Sequence, residues 1–146
     1  VLVGEGPLNE KLQALASAYG VHERVVFAGS QSSDTVAAMM KQADIFTLPS
    51  YRFDNQPMVI LEAIATGLPV VYCDNKLKEG LTPDNALLTR GRSARAFAAA
   101  FDELLDDDEK RQTMAHASKQ VAKDFDVDRL AKKMVEIYQS APIIEK

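Results

Sequence analysis

Short apolar runs alternate with helical patterns from residue 1 to about 105, and that alternation limits the possible folds more than any other feature of the chain. Val1-Leu2-Val3, Arg24-Val25-Val26-Phe27-Ala28-Gly29, Ile45-Phe46-Thr47-Leu48 and Leu68-Pro69-Val70-Val71-Tyr72 read as strands, and Ala86-Leu87-Leu88-Thr89 as a fifth, shorter one. Strands this short and continuously apolar suit a parallel sheet covered by helices on both faces. The expected fold is therefore a doubly wound, Rossmann-like α/β domain with extra C-terminal helices.

The helical segments carry their own punctuation. Leu8, Leu12, Leu15 and Ala16 share a face, Asn9 can cap that helix and Gly20 can close it. Ser32, Ser33 or Asp34 can cap the next, where Val36, Met39 and Met40 form a face. Pro57 at a first-turn position, then Gly67 and Pro69, bracket a third helix. Ser93 opens a helix over 94–105 with Phe97, Ala98, Phe101, Leu104 and Leu105 on one side. Further helices are expected over about 107–123 and 128–139, the last bearing Leu130, Met134, Ile137 and Tyr138.

With 146 residues and 47% hydrophobic content, a single domain spanning 1–146 can bury a core, the helices of 107–140 being part of it. The net charge of -4 argues against nucleic acid, whose phosphates ask for a basic face. Cys73 is the only cysteine and cannot form an internal disulfide, which fits a cytoplasmic location. No apolar run approaches the ~20 residues of a membrane span. The chain opens directly on an apolar strand, without an initiator Met, and this predicts a piece of a longer protein.

Ligands of doubly wound sheets bind beyond the carboxyl ends of the strands. Here those ends are the Gly4 loop, the Gly29 loop, the loop over 50–55 and the loop over 73–78, expected on one edge. Gly4-Glu5-Gly6-Pro7 opens like a dinucleotide fingerprint but lacks its later glycine, and a tight strand-to-helix turn explains it equally well. The start of the third helix offers N–H groups of Gln56, Met58 and Val59 to an anion, although Pro57 has none to give. The plain alternative there is capping by Asp54 or Asn55.

Glu62 is the sole charge of the third helix, and from Met58 to Ala65 every other residue is apolar, so the segment reads as buried nearly all round. A carboxylate so placed needs partners, and a ligand with a vicinal diol, such as ribose, is one. The alternative is a solvent-facing residue. His22 and His116 read as surface residues, the acidic run 106–109 as a solvated helix start, and no metal set or Ser-His-Asp or Cys-His nucleophile is visible.

Val3-Gly4-Glu5-Gly6-Pro7, Arg24 to Gly29, Ala43-Asp44-Ile45-Phe46-Thr47-Leu48-Pro49-Ser50 and Leu61-Glu62-Ala63-Ile64-Ala65-Thr66-Gly67-Leu68-Pro69-Val70-Val71, in this order, carry a resemblance over nearly the whole chain. The chain resembles the C-terminal, donor-binding lobe of retaining nucleotide-sugar glycosyltransferases of the GT-B fold, the group 1, family 4-like enzymes. Their signature pairs two glutamates separated by seven residues. Asp54 stands in the first place and Glu62 in the second, and the resemblance gives Asp54 the catalytic position beside the transferred sugar and Glu62 the ribose.

It further implies that Gln56, Pro57 and Met58 wall the sugar and diphosphate, that Val59 faces the phosphates, and that Phe27, Ala28 and Gly29 receive the base, with Gly4 and Gly6 in the first loop. Two departures bear on the donor sugar: Asp54 is one methylene shorter than the usual glutamate, and Asn55-Gln56-Pro57 replaces the common Gly-Phe-Gly. No cofactor or metal is implied. The partners implied are a nucleotide-sugar donor and a glycan, lipid or protein acceptor held by an N-terminal lobe, through which peripheral membrane contact could also come. An Arg and a Lys gripping the diphosphate are expected from a segment before Val1. The 146 residues alone are expected to bind donor weakly or not at all and to transfer no sugar. A nucleotide-sugar epimerase of the same fold, a binding or subunit-assembly module that has lost catalysis, and a plain dinucleotide-binding domain are the competing readings.

Overall fold

A computed structural model of the chain describes residues 1–52 and 57–140. Packing divides it into two compact units, Val1–Met39 and Met40–Lys146. In the first, Leu2 and Phe27 form a parallel bridge, flanked by hydrogen bonds from Leu2 N to Val26 O and from Ala28 N to Leu2 O, both 2.8 Å. Between them lie helix α1 (Asn9–Ala18) and a short 3-10 turn (His22–Arg24). The outer strands expected at 1–3 and 24–29 thus reduce to one bridge.

Two local expectations change in this unit. Leu8, not Asn9, occupies the N-cap of α1, and no side chain caps it. Asn9 lies inside the helix, where its Oδ1 accepts from Gln13 Nε2 at 3.4 Å. Of the anticipated apolar stripe only Ala16 is buried, while Leu8, Leu12 and Leu15 are exposed. A stripe becomes core only where a second surface meets it, and periodicity says nothing of that surface. Gly20 closes the helix at φ 66°, as expected of a left-handed stop. Helix α2 (Ser33–Met40) follows, with Ser32 Oγ accepting from Thr35 N at 3.3 Å.

The second unit holds a parallel sheet ordered β1 (Phe46–Leu48), β2 (Val70–Tyr72), β3 (Ala86–Leu88), with Phe46 opposite Val70 and Val70 opposite Ala86. Helix α3 (Met58–Thr66) crosses from β1 to β2, and α4 (Ala94–Leu105), α5 (Asp108–Ala122) and α6 (Val127–Ser140) follow β3. Adjacent residues of β2 serve different cores. Val70 packs with Ile60, Ile64, Leu77, Leu81 and Ala86, and Val71 with Ala100, Leu104 and Met114. Successive strand side chains point to opposite faces, so a strand buried on both must be apolar throughout, as Val70-Val71 is.

Local chemistry sets the helix ends. Ser93 Oγ accepts from Ala96 N at 3.2 Å and Asp107 Oδ1 from Lys110 N at 2.8 Å, so the acidic run does start a helix. Gly67 ends α3 at φ 86°, where other residues are strained. Buried Ser118 of α5 then donates to Leu68 O at 2.7 Å, tying α5 to that turn. Helix α6 buries none of its residues, so the face of Leu130, Met134, Ile137 and Tyr138 is exposed rather than core. Among the described residues no helix is long and apolar enough to cross a membrane.

Candidate functional site

The carboxyl end of the second unit's sheet is organised by Asp74, two residues beyond β2. Its side chain is buried, 2% exposed, and both oxygens accept backbone N–H bonds: Oδ2 from Arg52 at 2.6 Å and Oδ1 from Lys76 at 3.0 Å. The loop after β1 is thereby tied to the loop after β2. Those bonds, Arg52's first and then Lys76's, hold the Asp74 carboxyl below the usual carboxylate range. Arg52 sits at φ 56°, the only non-glycine residue in the left-handed region among those described. Such a backbone costs roughly 1–2 kcal/mol in an L-residue, and the bond to Asp74 holds it.

Cys73 is buried beside this carboxylate, its thiol 3.4 Å from Pro49 O and 3.6 Å from Ser50 O. Burial first, and then the negative charge of Asp74, push its pKa up against the opposing pull of Arg92. A thiol held protonated in this way is a packing residue, not a nucleophile. Tyr51 carries two cations on its ring, Arg92 at 4.1 Å and Arg52 at 5.1 Å from the centroid.

Helix α3 rises from the same edge. Its N-cap is Pro57, in extended conformation, and no acidic side chain stands in its first turn. The first N–H groups of a helix have no partner within it, so this end can receive an anion. Pro57 and Val59 are half-buried and Met58 is exposed. Glu62 is exposed too, on one stripe with Met58 and Ala65. This corrects the expectation of a helix buried nearly all round: Ile60, Ala63 and Ile64 face the core, and the apolar Met58 and Ala65 do not. Glu62 therefore carries no desolvation cost demanding a partner, and its candidacy rests on position. Asp54 and Gln56 lie outside the described residues.

In the first unit Gly4, Gly6 and Phe27 come together around a hollow of about 310 Å³ that Leu2, Glu5 and Asn9 also line. Gly4 N donates to Gly29 O at 2.8 Å, which joins the two glycine loops, and Ala28 leads into the second. Gly4 stands at φ 117° with open space where a Cβ would project, so its glycine identity serves the turn. A larger hollow, about 840 Å³, lies in the second unit between Thr82-Pro83-Asp84 and α5. It adjoins the amino end of β3, away from the strand ends where such sheets bind ligands, and none of the candidate residues lines it.

His22 and His116 are exposed, and among the described residues no group of three or more His, Cys, Asp or Glu could hold a metal. Sequence reasoning missed Asp74, Arg52, Tyr51 and Arg92. No spacing rule links a residue at 74 to a backbone N–H at 52, or 92 to 51.

The family model for glycosyl transferases group 1 matches residues 1–121. A D-inositol 3-phosphate glycosyltransferase of Corynebacterium urealyticum is 32% identical over 136 residues, covering 90% of this chain and 31% of the relative. A GDP-mannose-dependent alpha-(1-6)-phosphatidylinositol monomannoside mannosyltransferase of Mycobacterium tuberculosis is 32% identical over 145 residues, covering 93% and 38%. Among solved structures, Anabaena HepE in complex with UDP superposes with a TM-score of 0.82 at 24% identity, over 96% of this chain and 40% of that one. The chain thus spans about a third of the length of the curated relatives it matches.

Proposed function

The chain belongs to the glycosyl transferases group 1 family, and from that premise we propose that it binds the donor of an enzyme moving a hexosyl group from a nucleoside-diphosphate sugar to a glycan, lipid or protein acceptor, with retention at the anomeric carbon. One observation carries the reading. At the carboxyl edge of a parallel sheet, the first turn of α3 has no acidic side chain, and an exposed carboxylate, Glu62, stands one turn further along. The helix end is suited to the diphosphate, and Glu62 to the two ribose hydroxyls.

The remaining roles follow the family pattern. Asp54 takes the catalytic place beside the sugar, with Gln56, Pro57 and Met58 as the wall of that pocket and Val59 turned to the phosphates. In the first unit, the hollow at Gly4 and Gly6 and the main chain of Phe27, Ala28 and Gly29 are assigned to the nucleotide. As the bond to the sugar breaks, charge collects on the departing diphosphate, and fixed N–H dipoles with cationic side chains stabilise it without a metal. The UDP complex of Anabaena HepE supports a nucleoside diphosphate as ligand.

Isothermal titration of the intact protein with UDP-, GDP- and ADP-sugars tests this. A charged hydrogen bond contributes about 1.5–3 kcal/mol, so Glu62→Ala should weaken the preferred donor by roughly 10- to 100-fold. Undiminished binding by that variant, or binding of none of the three, would sink the reading. Transfer that stops in a metal chelator would refute the metal-free step alone.

A further inference from the structure

We propose that Arg52 and Arg92 form an anion subsite at the carboxyl edge of the second unit's sheet, which selects a sugar bearing a carboxylate or a phosphate monoester. The inference rests on the donor-binding reading above and names the substrate class for it.

The two guanidinium groups come from the ends of the outer strands, Arg52 after β1 and Arg92 after β3, and converge on the ring of Tyr51. Bringing two like charges to one ring is unfavourable unless something offsets it, and the π face does so only in part. Among the described residues the ion pairs are Lys110 with Glu103, Arg111 with Asp108 and Arg129 with Asp124, so neither Arg52 nor Arg92 has a carboxylate there. Asp74, the buried carboxylate of this edge, directs both oxygens to backbone N–H groups instead. The Asp74 charge offsets that of Arg52 only in part, and Arg92 has no carboxylate partner among the described residues, so the pair leaves room for an anion from outside.

The pair is also held in place. Asp74 fixes Arg52 in its left-handed conformation, which sets the direction in which the side chain departs. Arg92 leaves a turn made by Gly91 at φ 114°, whose carbonyl accepts from Thr89 Oγ1 at 2.6 Å. The downward pull of Arg92 on the Cys73 thiol places its charge near the end of β2 as well. Planar guanidinium forks fit the paired oxygens of carboxylates and phosphates, which a neutral hydroxyl cannot supply. In sequence Arg52 stands two positions before Asp54, to which the family pattern gives the sugar, and on that assignment the anion is carried by a sugar.

Matched probes test the idea in the intact protein by isothermal titration. On the donor side the pairs are UDP-glucuronate against UDP-glucose and GDP-mannuronate against GDP-mannose. On the acceptor side they are glucose 6-phosphate against glucose, with the preferred nucleoside diphosphate present. The anionic member of at least one pair should bind about tenfold tighter or more, and Arg92→Gln or Arg52→Gln should bring that ratio toward one. A response in the donor pair identifies a uronate donor, and one in the acceptor pair a phosphorylated acceptor. Both side chains are exposed, so melting temperature checks that the variants fold.

Wild-type protein with no preference in any pair overturns the proposal, as does an equal loss of neutral and anionic members in the variants. In either case, intact binding of a nucleoside diphosphate leaves the donor-binding reading standing. Failure of every nucleoside diphosphate to bind removes both.

Discussion

Each end of the three-stranded sheet buries a polar side chain that makes two or more hydrogen bonds, Asn85 at one and Asp74 at the other, and the two residues are used differently. At the amino end Asn85, fully buried, accepts from Thr82 N at 2.7 Å and Thr82 Oγ1 at 3.2 Å and donates through Nδ2 to Gly80 O at 2.9 Å. All of its side-chain partners lie within five residues, so a neutral amide closes one local loop under the core of Ile60, Ile64 and Leu81. At the carboxyl end Asp74 joins residues 52 and 76, and beside it lie a left-handed arginine and two cations on one ring. One end is finished as structure, while the other keeps charge and backbone strain that folding does not require. Strain and unbalanced charge of that kind accumulate where ligands bind.

The sharpest way to break this contrast is Asn85→Ala. It leaves the buried Gly80 carbonyl and Thr82 amide without their partner, which should cost roughly 3 kcal/mol. Urea denaturation measures it, and a loss under about 1 kcal/mol would show that the amino end is not held by this amide. Asp74→Asn should cost less, because one oxygen survives and the released N–H belongs to a loop that water can reach. Its larger effect should be on the ligand, since the single remaining acceptor oxygen no longer ties the loop of Arg52 to the loop of Lys76. A variant as destabilised as Asn85→Ala, with ligand affinity intact, would reverse the assignment of the two ends.

Acid titration separates the ends more gently. The Asp74 carboxyl is held below its unfolded value, so its contribution is fully present above the ordinary carboxylate pKa, about 3.9. It is lost as pH falls through the lower, folded value. The Asn85 amide has no such dependence. Wild-type stability should therefore decline below about pH 4 more steeply than that of Asp74→Asn, when both are followed by thermal melts. Parallel curves for the two proteins would mean that other carboxylates govern the acid limb.

What the sequence showed, and what it hid, follows the same division. Ser93 capping α4, the acidic run starting α5 and Gly67 closing α3 were legible because each is a feature of a few residues with its own chemistry. The two-faced core was legible through Val70-Val71, since a parallel strand leaves no choice of side. The open faces of α1 and α6 were not, because periodicity marks an apolar stripe whether or not anything covers it. Asp74 and Arg92 were hidden for a related reason: they act across the sheet on residues far away in the chain, and a lone Asp or Arg after a strand has no signature.

Glu62 tests the contrast with the smallest effect. Counting its apolar neighbours predicted a buried charge, but a helix nine residues long presents more than one face, and Met58 and Ala65 on its stripe proved to be exposed with it. An exposed carboxylate with no ion pair among the described residues contributes little to folding. Glu62→Gln should therefore change stability by no more than about 0.5 kcal/mol. The same substitution keeps the shape of the side chain but replaces one acceptor oxygen by a donor, so a ribose diol that needs two acceptors should be held less well. Melting temperature unchanged with donor affinity reduced is the pair of results that assigns this end of the sheet to binding. A fall in stability with affinity intact would instead place Glu62 with Asn85, among the residues that hold the fold.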